Sequence, residues 1–271
     1  MPMVDRIAFL ADVHLERHDR RRAQVFLRAL RSLYAACSRI YVLGDLFEFW
    51  VGPAHVDYPD YRFVLDALDD ILDGSTPVTV LHGNRDYFLG DRFPVGRGVT
   101  VEWDPLTIPV GPLRLFLCHG DLLLGHDKGY RFVRRLFHNR LVVRLNEILP
   151  PRVSYYYSHG YRNHSKRSVD RKRRAGCHVL RITSRAVTDV FEAGADVIVS
   201  GHVHEQASRY FSRSRPGKPW KEVSSPAAAD GILYTLGSWE SSAPVLLCES
   251  GRFSFHDLSC ETLPSEHDPL P

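Results

Sequence analysis

A chain of 271 residues fits one large α/β domain or two smaller ones. Its 44% hydrophobic content excludes a disordered chain, and no run approaches the ~20 apolar residues of a membrane-spanning helix. The formal charge of +3 is small, so any strong electrostatic attraction has to come from local clusters. The five cysteines (Cys37, Cys118, Cys177, Cys248, Cys260) are scattered and form no CxxC pair. That excludes a zinc knuckle and fits reduced thiols in a cytoplasmic protein. The N-terminal MPMVDRIAFLADVHL has no basic n-region and no cleavage site, and reads as a strand rather than a signal peptide.

In chain order, Ile7–Ala11 is a predicted buried strand. Arg21–Cys37 carries Phe26, Leu30, Leu33 and Tyr34 at helical spacing. A strand at Arg39–Leu43 follows, then a helix at Tyr61–Leu72 with Val64, Leu65, Leu68, Ile71 and Leu72 on one side. Pro77–Leu81 and Leu113–Cys118 are further strands. Arg181–Ala193 is a predicted helix leading to a strand at Asp196–Ser200. The tail holds strand candidates at Ile232–Leu236, Val245–Leu247 and Arg252–His256. Strands alternating with helices imply a largely parallel sheet with helices on both faces, extended by antiparallel strands from the tail. Two stretches break the pattern. Leu122–Ser184 is long, basic and rich in aromatics, and reads as a helical insertion within a single domain spanning 1–271. Ser212–Asp230 is rich in Pro, Ser and Ala and reads as a mobile loop.

Five apolar runs end in residues able to bind metal: FLADVHL, YVLGDLFEFW, VLHGNRD, LFLCHGD and IVSGHVH. They supply Asp12, His14, Asp45, Asn84, His119, His202 and His204. Oxygen and imidazole donors without thiolates suit hard or borderline divalent cations. Two carboxylates, an amide and four imidazoles exceed the needs of one ion, and suit two ions that share a carboxylate and activate a hydroxide against a phosphorus ester. All five runs reach their motif at a strand's carboxyl end, where open α/β sheets gather ligands. An isolated histidine in an apolar context is usually a core or surface residue. Seven candidate ligands in register with five strand ends are a different matter.

The order D-x-H, G-D, G-N, H-G, G-H-x-H resembles the calcineurin-like metallophosphoesterases, from about Ile7 to His204. The resemblance implies a two-sheet β-sandwich flanked by helices, with the metals at one rim and a helical lid at about 122–184. It assigns Asp12, His14, Asp45 and His204 to one metal, and Asp45, Asn84, His119 and His202 to the other, with Asp45 bridging. Many of these phosphoesterases carry a histidine where this chain has Arg85. An arginine does not give up its proton but holds phosphoryl oxygens well, which favours a phosphate leaving group over an alkoxide. The spelling GDLFEFWVG, HGNRD, HGD is similar to the UDP-2,3-diacylglucosamine pyrophosphohydrolases of bacterial lipid A synthesis. That similarity implies hydrolysis of a nucleotide-lipid diphosphate to UMP and 2,3-diacylglucosamine 1-phosphate, with two divalent ions, Mn2+ foremost.

By the same resemblance Asn84, Arg85 and His119 are catalytic, and Arg85, Asn163, Lys166, His202 and Asp127 contact substrate. Glu48, Trp50, Asp86 and Asp121 are expected to support the ligands, since ligating histidines need partners that fix their tautomer. His159 stands where the related lids carry a serine, and Asp57 and Asp60 are displaced from the acidic cluster that often follows W-x-G. Lys128–Leu145 interleaves Phe132, Val133, Leu136, Phe137, Val142 and Leu145 with arginines. Such a helix can rest on the anionic cytoplasmic face of an inner membrane. The alternative is a phosphodiesterase or pyrophosphatase of the same superfamily acting on a soluble nucleotide or nucleotide-sugar, with no need of an apolar lid. A nucleic-acid binder built around RKRR at Arg171–Arg174 is disfavoured, because it would not need an intact ligand set. No obligate protein partner is implied.

Overall fold

The computed structural model describes residues 5–16, 18–50, 59–89, 97–103, 105–124, 142, 181–213 and 219–260. Twelve strands form two six-stranded sheets. The first sheet contains β1 (Arg6–Leu10), β2 (Arg39–Leu43), β3 (Asp73–Leu81), β4 (Arg97–Glu102), β11 (Pro244–Glu249) and β12 (Arg252–Asp257), in the order β12-β11-β1-β2-β3-β4. The second contains β5 (Leu106–Val110), β6 (Leu113–Cys118), β7 (Val197–Ser200), β8 (Ala207–Ser212), β9 (Lys221–Val223) and β10 (Gly231–Thr235), in the order β5-β6-β7-β10-β8-β9.

Strand alternation explains the layering, because successive side chains point to opposite faces. Ile7 and Phe9 of β1 face inward with Tyr41, Leu43, Leu246 and Cys248. They meet Leu115, Leu117, Val197 and Val199 of the second sheet. Ala8 and Leu10 point the other way, with Ile40, Val42, Val78, Val80, Val245 and Leu247. That outer face is covered by helices α1 (Arg20–Ala36) and α2 (Pro59–Ile71). Helix α1 starts where Asp19 accepts a hydrogen bond from the Arg22 amide, and it buries Ala23, Phe26, Leu27, Leu30 and Leu33 along one stripe. The far face of the second sheet packs Cys118, Ile198, Phe211 and Leu233 against Val187 and Phe191 of helix α3 (Ser184–Glu192). The layers therefore run helix, sheet, sheet, helix.

The two-sheet architecture implied by the resemblance is borne out, whereas alternation alone implies one largely parallel sheet. Strands β1 to β4 are mutually parallel, and so are β6, β7 and β10, so each sheet alone satisfies the alternating pattern. Strands β4, β5 and β8 were not anticipated. Strand β5 carries Pro109, which lacks an amide donor and is accommodated because β5 lies at a sheet edge. The expected mobile loop at 212–230 is corrected. Its described residues include β9, paired with β8, and a 3-10 turn at Pro226–Ala228. The predicted helix at Arg181–Ala193 starts later, because Ile182 bridges to Leu124 and Thr183 caps Ser184–Glu192 by accepting from the Ala186 amide. Most of the expected insertion at 122–184 lies outside the described residues. Leu124 and Ile182, near the two ends of that stretch, pair in an isolated antiparallel bridge.

Phe26 is 2% exposed and meets Trp239 edge-on at 5.7 Å, tying α1 to the segment whose Trp239 amide donates to the Asp12 carbonyl. Phe26→Ala is expected to cost about 3–5 kcal/mol of stability, measured by urea denaturation. A loss below about 1 kcal/mol would mean that α1 does not brace the sheet.

Candidate metal centre

The seven predicted ligands come together at one rim. Asp12 and His14 follow β1, Asp45 follows β2 and Asn84 follows β3, while His119 follows β6 and His202 and His204 follow β7. Because the parallel strands of both sheets end at this rim, five chain segments converge. They are stitched by backbone: the Asp12 amide donates to the Gly44 carbonyl (3.2 Å), His14 to Asp45 (3.0 Å) and Gly201 to His119 (2.9 Å). The His202 amide donates to Asp12 Oδ2 at 2.7 Å, which links the second sheet to the first.

The turns themselves are strained. Among the described residues six non-glycine positions have positive φ, and five of them are Asp12, His14, Asp45, His202 and His204, at 51–72°. Each such residue costs of order 1–3 kcal/mol and persists only where its surroundings impose it. The left-handed turn swings the side chain off the sheet plane toward the shared centre. Two glycines permit the close approach. A Cβ on Gly83 would collide with Asp45, and one on Gly201 would lie 2.5 Å from the Ala11 Cβ and 2.6 Å from Asp12 Oδ2.

Two half-sites result. His14 Nε2 faces His204 Nε2 at 3.2 Å, and Asp12 Oδ1 is 3.5 Å from His204 Nε2 and 3.8 Å from His14 Nε2. In the other half, His202 Nδ1 lies 3.0 Å from His119 Nε2 and 2.8 Å from the Asn84 amide. Asn84 stands with Nδ2 toward His202. A 180° turn of the amide presents Oδ1, the atom a metal needs, at the same point. Asp45 Oδ2 lies between the halves, 4.0 Å from His14 Nε2 and 3.7 Å from His119 Nε2. Asp12, His14 and His204 form one group able to hold a cation, and Asp12, Asp45 and His119 another. Donor atoms ~2.1 Å from one ion sit roughly 3.0–3.5 Å apart, close to these separations. Asp12 Oδ1 is buried without a hydrogen-bond donor. A cation supplies what that oxygen lacks, so the residues fit a divalent metal centre.

Tautomers are fixed from behind. His119 Nδ1 is 2.9 Å from the Leu43 carbonyl, which accepts its proton and leaves Nε2 facing the centre. His14 Nδ1 lies 3.0 Å from Glu48 Oε2, a close polar contact without hydrogen-bond geometry, while its Nε2 faces the centre. Asp86 is wholly buried and accepts amides from Gly83 and Leu46 at 2.8 Å each, and from Asp45 and Phe47 at 3.3 and 3.4 Å. It is the hub that shapes both the Asp45 and Asn84 turns. Burial, with the nearby Asp45 charge, raises its pKa to about 7 against the pull of those amides.

The imidazoles respond to the same field. Burial pushes His119 down, but Asp45, Asp12 and Asp121 outweigh it and lift the pKa to about 9. Burial and the neighbouring His119 lower His202 to about 4. Burial also lowers His14, against Asp45. Burial works to raise Asp12, yet the nearby His204 and the other surrounding imidazoles bring it below the usual carboxylate range.

Arg85 lies beside the centre, half-buried, with Nη1 on Glu48 Oε1 at 2.7 Å, Nε 3.7 Å from Asp45 Oδ2, and its amide on Asp45 Oδ1 at 2.9 Å. Trp50 is buried and its amide donates to the Arg85 carbonyl at 3.2 Å. Asp127, Asn163 and Lys166 lie outside the described residues, as does the Lys128–Leu145 helix apart from Val142. Sequence reasoning missed a small cleft beside His119, lined by His82, Trp103, Pro105 and Asp121, in which the His82 and Trp103 rings stack at 4.2 Å. The histidine of HGN was its one visible sign.

With this geometry in place, comparison with known proteins is informative. Residues 5–206 match the calcineurin-like phosphoesterase family. The chain belongs to that family. It is therefore a metallophosphoesterase, a hydrolase, with a candidate site for divalent metal. It is similar to the UDP-2,3-diacylglucosamine hydrolase of Photorhabdus laumondii, 32% identical over 197 residues, covering 72% of this chain and 80% of that protein. The protein of the same name from Aeromonas hydrophila is 30% identical over 247 residues, 90% of this chain and 95% of that one. The Sodalis glossinidius protein, also so named, is 29% identical over 252 residues, 93% and 97%.

In this phosphoesterase, Asp86→Asn places an amide donor against backbone donors, and is expected to cost about 1–3 kcal/mol in a thermal or urea melt. An unchanged melt would show that the four amides do not depend on Asp86. Metal binding must also displace the proton that His119 holds up to about pH 9. Mn2+ affinity is therefore expected to rise ~tenfold per pH unit between pH 6 and 8, read by calorimetric titration. A pH-independent affinity would show that no proton is displaced from His119 in this range.

Proposed function

We propose that this metallophosphoesterase hydrolyses the diphosphate of UDP-2,3-diacylglucosamine, releasing UMP and 2,3-diacylglucosamine 1-phosphate. The observation that carries the reading is Arg85, set between Glu48 and Asp45 at the edge of the metal centre. A guanidinium there grips phosphoryl oxygens but donates no proton to a leaving group. A phosphate leaving from a pyrophosphate bond needs none. Relatives named for this substrate, similar across nine-tenths of the chain, support the same reading.

Asp12, His14, Asp45 and His204 are proposed to hold one divalent ion, and Asp45, Asn84, His119 and His202 the second, with Asp45 bridging. Mn2+ is the proposed metal. A pair of such ions supplies charge to the phosphoryl oxygens and lowers the pKa of the attacking water. The protein's own contribution is orientation. Leu43 keeps the His119 Nε2 turned inward, and Glu48 stands 3.0 Å behind the His14 ring. Arg85 restrains the diphosphate, and Asn163, Lys166 and Asp127 are proposed further substrate contacts, with His202 serving both metal and substrate. The basic, aromatic stretch at 122–184 is the proposed lid for acyl chains, and its arginines the proposed contact with an anionic cytoplasmic membrane surface. Among the described residues no helix is long and apolar enough to cross a membrane.

UMP release is followed with Mn2+ and either UDP-2,3-diacylglucosamine or UDP-N-acetylglucosamine. Fast release from the acylated substrate alone is expected. Equal release from both would replace the lipid reading with a soluble nucleotide-sugar pyrophosphatase. Asn84→Ala and His119→Ala are each expected to lose more than the roughly 10–100-fold typical of outer partners of a metal. Full activity in either would remove the two-metal arrangement.

A further inference from the structure

Glu48 touches two parts of the site that the reaction uses for different purposes. Its Oε2 lies 3.0 Å from His14 Nδ1, and its Oε1 accepts from Arg85 Nη1 at 2.7 Å. The residue is itself held: its amide donates to the Leu15 carbonyl at 3.1 Å, and the rings of Phe47 and Trp50, close to it in sequence, pack on each other with centroids 4.8 Å apart. Three loops, those after β1, β2 and β3, thus meet on one carboxylate. We infer that Glu48 is a positioning residue that fixes the phosphate-gripping Arg85 relative to the metal ligand His14.

A carboxylate suits this place. Arg85 donates a hydrogen bond to Oε1, and Oε2 stands 3.0 Å from His14 Nδ1 in a close polar contact without hydrogen-bond geometry, so one side chain with two acceptor oxygens faces both neighbours. The Arg85 side chain is 34% exposed, so part of the guanidinium reaches solvent. Its contacts with Glu48 and Asp45 hold it in place through Nη1 and Nε. A guanidinium anchored in this way meets an incoming phosphoryl group without first having to be ordered. The inference deepens the phosphohydrolase reading and rests on it for the role of Arg85, whereas the link to His14 stands on metal binding alone.

The test uses the full chain and two probes, Mn2+ and inorganic phosphate. Glu48→Gln keeps the shape but turns one acceptor into a donor. It is expected to weaken Mn2+ binding roughly 10–100-fold by calorimetry. At saturating Mn2+ it is also expected to weaken phosphate binding, read by calorimetry, and adding Glu48→Gln to Arg85→Ala should weaken it no more than about twofold further, since Glu48 acts there through Arg85. Glu48→Asp retains the charge but is too short to reach both partners, and should show both losses if the glutamine variant folds poorly. Wild-type Mn2+ affinity in both Glu48 variants would overturn the link to His14, and full additivity with Arg85→Ala would overturn the link to Arg85. A wild-type chain that binds Mn2+ and phosphate yet releases no UMP would overturn the substrate reading alone and leave the Glu48 inference supported by these two measurements.

Discussion

Four aspartates, Asp12, Asp45, Asp86 and Asp121, are buried at one rim of this protein, and their negative charge has to be answered. Burying a single ion costs several kcal/mol even after relaxation. Part of the answer is backbone: four amides point at Asp86, one at Asp12 and one at Asp45. The remaining lone pairs converge on the imidazoles, which is why His119 holds its proton to about pH 9 although burial opposes it. A divalent cation answers the same demand more completely than a proton does. The cluster makes sense as a metal centre because its electrostatics are incomplete without positive charge at that point.

The fold meets the geometric half of the problem. Parallel strands deliver chain ends to one rim, but a strand leaving a sheet does not by itself aim its next side chain at a common centre. Left-handed turns at Asp12, His14, Asp45, His202 and His204 do the aiming, and the strain in each is sustained by the others. Asp12 accepts from the His202 amide, Asp45 accepts from the Arg85 amide, and the Gly83 and Gly201 backbones close the remaining gaps. Rigid strands behind the turns, with Phe9, Leu43, Leu117 and Val199 fully buried, keep these small distances reproducible.

Much of this was legible in the sequence because the residues that matter are punctuated. GD, GN, HG and GHVH each follow an apolar run, so both the strand and the turn after it were visible, and all seven candidate ligands come together in the structure. The second sheet was not visible from alternation. Two parallel halves, each with its own helix, carry the same strand-helix rhythm as one sheet, and only the resemblance distinguished them. Strand β4 opens on Arg97 and Gly98, β8 sets Ser208 beside Arg209 and Tyr210 beside Phe211 without strict alternation, and the three-residue β9 offers few side-chain cues. The double contact of Glu48 was out of reach for a different reason. Its partners, His14 and Arg85, lie 34 and 37 positions away, and no local pattern records which of several nearby carboxylates will lie between them.

Under the proposed diphosphate hydrolysis, Arg85 is where the general chemistry of the family becomes particular. A metal pair can attack many phosphorus esters, so selectivity has to come from the leaving side. An alkoxide leaves with a high demand for a proton, whereas a phosphate monoester, with its second pKa at ~6, departs as a stable anion. A histidine at position 85 would serve the first case and an arginine serves the second. The arginine also has a cost: a permanent positive charge beside the metal ions repels them. Pairing it with Glu48, and with Asp45 close behind, neutralises that repulsion within the protein and leaves its exposed part for the substrate's phosphates. The acidic residue in GDLFE and the arginine in GNRD are therefore best understood as one device, in which each residue makes the other tolerable next to a divalent centre.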